Sequence, residues 1–147
     1  MKIAGTILIV LALVIGIVPQ FTDCQSQGRA IELANGKTIP MKCHWTARAE
    51  IPLGFSLLVI GLMTFKNRGK TLLRSLAVLG GIIGIFTLLV PTQLIGVCMG
   101  NEMLCNIAMK PTLILSGTLT TLVSIAIFVM ASRNNPADTP PVLQPQV

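Results

Sequence analysis

The chain has 147 residues, 52% of them hydrophobic, 11% charged and 4% aromatic, with Lys+Arg 11 against Asp+Glu 5. A soluble domain carries roughly 25% charged residues to cover its surface, so this composition excludes one, and with it a nucleic-acid-binding reading of the +6 net charge. The polar chain left over is too short for a separate catalytic domain, so neither an enzyme nor a bound cofactor is expected.

The charges leave four apolar windows empty: Ile3 to Val18, Ile51 to Phe65, Ser75 to Asn101 and Pro111 to Ser132. A helix rising 1.5 Å per residue needs about 20 residues to cross a hydrocarbon layer of roughly 30 Å. The reading is therefore an all-α membrane protein with spans at about 3–21, 46–66, 72–91 and 111–132, forming one domain over residues 1–133. Lys2 precedes the first window as it would in a signal peptide, but no small-x-small cleavage site follows, so the window is read as a span. The second window is short and is expected to begin near Thr46 and to end with Lys66 snorkelling to the interface. Four basic residues and no acid fall between Lys66 and Arg74, whereas Arg29, Lys37, Lys42, Arg48 and Lys110 are mixed with Asp23, Glu32, Glu50 and Glu102. By the positive-inside rule the Lys66–Arg74 turn and both termini are cytoplasmic, and both larger loops are outside. The expected location is the plasma membrane.

The spans read as two hairpins related by a parallel repeat. In each, the first span ends at Val-Pro (Val18-Pro19, Val90-Pro91), a Cys and a Met-x-Cys follow (Met41 to Cys43, Met103 to Cys105), and a Pro (Pro52, Pro111) opens the second span. Proline suits both places, because it cannot continue a helix and its missing N–H costs nothing in a first turn. All four cysteines, Cys24, Cys43, Cys98 and Cys105, fall in the outer loops, two in each. In an oxidising compartment this favours disulfides, with Cys24 to Cys43 and Cys98 to Cys105 preferred among three connectivities because each pair is close in the chain. Between Cys24 and Cys43, Asn35-Gly36 separates residues 30–34 from 37–41 and predicts a small β-hairpin, with Pro40 confining its strand to an edge. That hairpin is either a docking surface for a partner or a cap over the bundle.

The densest run of reactive side chains is Met41 to Glu50, entering the second span. Thr46 is a candidate N-cap, Glu50 suits a helix N-terminus, and Trp45 suits the headgroup level. Arg48 and Glu50 are two apart and do not face each other on a helix, which makes Lys110 a candidate partner for Glu50. His44, Trp45, Arg48, Glu50 and Lys110 are the candidate interaction residues. A redox reading has His44 lowering the pKa of Cys43. A copper reading gathers Met41, Cys43, His44, Cys98, Met99, Met103 and Cys105 as soft ligands, but needs reduced thiols outside; no metal is expected on the disulfide reading. The apolar windows hold no ionisable group, which argues against autonomous transport. Gly80 and Gly84 form a GxxxG, and Ser116, Thr120 and Ser124 line one face of the last span, as helix packing requires. Pro136, Pro140, Pro141 and Pro145 mark residues 134–147 as a disordered cytoplasmic tail.

The Met-Lys-Cys-His-Trp-Thr-Ala-Arg-Ala-Glu run, with four spans and the later Cys-Met and Met-Leu-Cys, resembles a small family of bacterial and archaeal tetraspan membrane proteins known only as a domain of unknown function. The resemblance covers about residues 3–131. It implies association with ABC transporters of the lipoprotein-exporter type and supplies no catalytic residues. The leading expectation is a non-enzymatic accessory or scaffold subunit bound to the bilayer and to another membrane protein or a second copy of itself. The alternative is an extracytoplasmic thiol-redox or copper-binding membrane protein using Cys43 and His44.

Overall fold

A computed structural model describes residues 2–26, 28, 31–66, 69–98, 100 and 103–133. The expected tail and Met99 lie outside the described residues. Helix α1 runs Lys2–Thr22, strands β1 and β2 are Ile31–Glu32 and Thr38–Ile39, α2 is Lys42–Lys66, α3 is Lys70–Leu89 and α4 is Lys110–Arg133. Two π-helical turns, Val90–Leu94 and Cys105–Met109, lengthen α3 and α4 at the same end of the bundle. Four helices, Lys2–Thr22, Lys42–Lys66, Lys70–Leu94 and Cys105–Arg133, are long and apolar enough to cross a membrane. The protein is an all-α, multi-pass membrane protein.

Three spans are longer than the charge-free windows suggested. Pro52 and Pro111 do not open their helices: α2 begins at Lys42, ten residues before Pro52, and Cys105 starts the span that contains Pro111. Backbone groups at membrane depth must be satisfied within the segment, and losing one N–H at a proline is smaller than exposing a whole turn. Pro91 likewise lies inside the first π turn. It lacks the N–H that an α-helix would give to the Thr87 carbonyl, and the chain changes there from α to π geometry.

Helix α1 packs chiefly against α2, and α3 against α4. The closest approaches are backbone on backbone: a Cβ on Gly54 would stand 2.9 Å from Gly16 Cα, and one on Gly117 would stand 3.0 Å from the Gly84 carbonyl. Cys43 lies 11 residues before Gly54, and Cys105 lies 12 before Gly117. The extra residue in the second hairpin is absorbed by the π turn at Cys105–Met109. Leu8, Ile15, Leu57, Leu113 and Ile127 fill the core between the hairpins, while Val10, Phe55, Val78 and Ile125 face outward.

The small sheet is antiparallel, with Ile31 opposite Ile39 and Glu32 opposite Thr38. Its turn differs from a two-residue Asn-Gly turn. The Gly36 N–H donates to the Leu33 carbonyl at 2.9 Å, the Leu33 N–H to Lys37 at 2.9 Å, and Gly36 alone has φ +75°. That is a type I turn followed by a left-handed glycine, the common three-residue hairpin loop. Every residue from Ile31 to Ile39 is exposed, so the ribbon is not a cap packed on the bundle.

Candidate metal centre

The four cysteines come from four different segments. Cys24 follows α1, Cys43 is in the first turn of α2, Cys98 lies in the loop after the first π turn, and Cys105 starts the second. Their sulfurs all lie within 4.8 Å of one another. Cys43 and Cys98 are 3.3 Å apart, Cys24 and Cys105 3.4 Å, and Cys24 and Cys98 3.6 Å. Cys24, Cys43 and Cys105 are buried and Cys98 is half-buried. All four are unbridged and gathered in one cluster, whereas chain proximity suggested two separate loops. These contacts join cysteines 55, 74 and 81 residues apart in the chain.

Polar contacts fix the segments that carry the sulfurs. Thr46, expected as an N-cap, is interior because α2 starts at Lys42; its hydroxyl donates to the Gly96 carbonyl at 2.7 Å and ties the Cys98 loop to α2. Gly96 has φ +78°, and its N–H and that of Ile95 both donate to the Val90 carbonyl at 3.1 Å, closing the helix end with a left-handed residue. On the other hairpin, the Gln20 side-chain amide donates to the Ala47 carbonyl at 2.6 Å, and the Cys24 N–H to the Cys43 sulfur at 3.4 Å.

Asp23 organises the turn before Cys24. Its carboxylate accepts the Ser26 N–H at 2.8 Å and stands 3.0 Å from His44 Nδ1. Burial works against its charge, but the bonds from His44 and Ser26 outweigh that and hold Asp23 below the ordinary carboxylate range. His44 is thus engaged with Asp23, a partner 21 residues back, instead of activating Cys43. Burial, reinforced by the neighbouring thiols, pushes Cys24 up. Cys98 is also opposed by burial, yet the Cys43 N–H and the adjacent thiols hold it below the usual thiol range, so it is the member biased toward thiolate.

Four sulfurs around one ion at the Zn–S distance of about 2.3 Å stand about 3.8 Å apart in a tetrahedron. The observed separations of 3.3 to 3.6 Å, within an overall 4.8 Å, match that cage. Met41 is next to it, its sulfur 3.9 Å from that of Cys98. Met103 packs against the core nearby.

The other candidate residues divide. Trp45 is 58% exposed and meets the His44 ring edge-on at 6.0 Å. Arg48 is exposed. Lys110 begins α4 and is not paired with Glu50, whose carboxyl oxygens have no hydrogen-bond partner. Gly80 and Gly84 face α4, where added Cβ atoms would meet the hydroxyls of Ser124 at 2.7 Å and Thr121 at 2.5 Å. Glu50 departs furthest from expectation. It lies eight residues inside α2, fully buried, and neither carboxyl oxygen has a hydrogen-bond partner. The bundle therefore does contain a buried ionisable side chain: the span expected from about Thr46 already included Glu50, but the search for ionisable groups covered only the charge-free window from Ile51.

No curated protein and no solved structure matches the chain. Residues 3–130, which hold all four cluster cysteines and all but the outermost residues of the first and last spans, match the family described as a domain of unknown function, DUF4418, and the chain belongs to that family.

Proposed function

We propose that this protein is a non-enzymatic accessory subunit of the membrane whose outer face is braced by a thiophilic metal ion on Cys24, Cys43, Cys98 and Cys105. The observation that carries the reading is the convergence of four thiols from both hairpins within 4.8 Å. A four-sulfur site is closed, with no open position for a substrate, which is the pattern of structural and not catalytic zinc. Zn(II) suits the ligand count, and Cu(I) is the competitor that soft sulfur also selects. Binding to the folded state alone links the hairpins and stabilises them. By the positive-inside rule, the basic Lys66–Arg74 turn supports an outside location for this end of the bundle. There the exposed ribbon, with Ile31, Leu33 and Ile39 uncovered, presents apolar surface and strand edges to a larger membrane complex, such as the ABC transporter that the family resemblance implies.

A second reading has its own observation: Cys98 is half-buried and held toward thiolate, as an attacking thiol would be. In that case the cluster is a thiol-redox centre. Elemental analysis and thiol counting on protein purified gently from its membrane separate the two. One metal ion per chain with four thiols released together by a chelator, and loss of the metal in C43S and C105S, are expected. Two disulfides and no metal would overturn the metal reading and leave the loops braced covalently. Copurification of another membrane protein, lost on deletion of residues 31–39, is expected of the accessory role.

A further inference from the structure

Glu50 is the one described acid whose carboxyl is completely buried and unpartnered. It is seven residues beyond Cys43 on the buried face of α2, which at 1.5 Å per residue sets it about 10 Å deeper in the bundle than the thiol cluster. The polar group beside it is the Thr87 hydroxyl of α3, itself buried and without a completed hydrogen bond. Pro91 also withholds from the Thr87 carbonyl the N–H of an ordinary helix. Native proteins rarely leave such groups unsatisfied, so their persistence asks for an occupant.

The occupant is limited by what the surrounding elements carry. On α1 the one described charge is Lys2, on α3 they are Lys70 and Arg74, and all three are at the opposite end of the bundle. On α4, Lys110 is at the near end without bonding Glu50, and Arg133 is at the far end; on α2 itself Arg48 is exposed and His44 is held by Asp23. Lys42 and Lys66 begin and end α2, and among the described residues no cation bonds the carboxyl. A metal ion of the hard class would need six or more oxygens, and one carboxyl with one hydroxyl falls far short. An unpaired carboxylate in an apolar bundle is strongly disfavoured, whereas the acid form can donate to a carbonyl or hydroxyl.

We propose that Glu50 and Thr87 form an intramembrane proton-binding site that exchanges its proton with water at the thiol end of the bundle. Intramembrane acids of this kind commonly serve proton relays, and the site gives the bundle a group on which proton movement could act. It does not depend on metal at the thiol cluster, because the groups concerned belong to a separate layer.

Infrared spectroscopy of the full-length protein in lipid tests it. The expected result is a protonated-carboxyl band that moves on carboxyl-¹³C labelling of glutamate, shifts on transfer to D₂O, is absent in E50Q and changes frequency in T87V. The labelled wild type carries the assignment even if E50Q does not fold. A glutamate that is ionised throughout, or a protonated band unmoved by prolonged D₂O exposure, would overturn the proposal. Either result leaves the metal reading standing, and failure to bind metal leaves this one standing.

Discussion

Asp23 shows how much one side chain decides at the thiol end of the bundle. Its side chain is 7% exposed, and it holds both the Ser26 turn and the His44 ring that lie on either side of the cysteine cluster. Because the folded protein favours its charged form, Asp23 contributes stability above the unfolded value of about 3.9, and that contribution is lost as pH falls through the lower folded value. Thermal unfolding in detergent should therefore show a decline below about pH 4, and D23N should lack that part of the decline. The variant should also be less stable near neutrality by about 1–3 kcal/mol, the range for hydrogen bonds to a charged group. The sequence offered His44 as a reactive neighbour of Cys43 because the two are adjacent. Its actual partner is 21 residues away across a loop, and no local rule links them.

At the scale of elements, helix existence was legible and helix limits were not. Charge-free windows located all four spans, but the first turn of α2 with Cys43 contains Lys42 and His44, and the π turn with Cys105 contains Asn106 and leads into Lys110, so hydropathy cut them off. Those polar turns are helical because contacts such as Thr46 to Gly96 hold them. The small residues were readable as packing positions, yet their partners were not. A Cβ on Gly54 would stand 2.9 Å from Gly16 backbone, whereas one on Gly81 would meet Ser124 Cβ at an ordinary 3.8 Å. G54A should thus destabilise by about 1–3 kcal/mol, the cost of overpacking, because backbone cannot move aside as a side chain can. G81A should be near neutral; equal melting temperatures for the two variants would contradict the α1–α2 crossing.

For the whole molecule, the decisive feature is that two hairpins meet at one cluster of sulfur. Each hairpin alone holds two cysteines, and a reading by chain distance pairs them within loops. The bundle brings Cys24 to 3.4 Å from Cys105 and Cys43 to 3.3 Å from Cys98, so the cluster is a property of the assembled fold. On the proposed orientation, with the Lys66–Arg74 turn inside, a membrane-impermeant maleimide should label the cluster cysteines in intact cells after chelator and reductant. Replacing the four basic residues of that turn by Gln should reduce this labelling and make it depend on permeabilisation.

The sequence by itself determined the class of the molecule, because burying so few charges among long apolar stretches leaves a helical membrane bundle as the stable arrangement, and the same sparse charges indicate an orientation. Only the tertiary structure decided which cysteines share a site, that His44 serves Asp23, and that Glu50 is enclosed. Those are distances between residues far apart in the chain, set by glycine-to-glycine helix crossings and by two π turns that rotate the helix ends into register, and no periodicity along one segment encodes them.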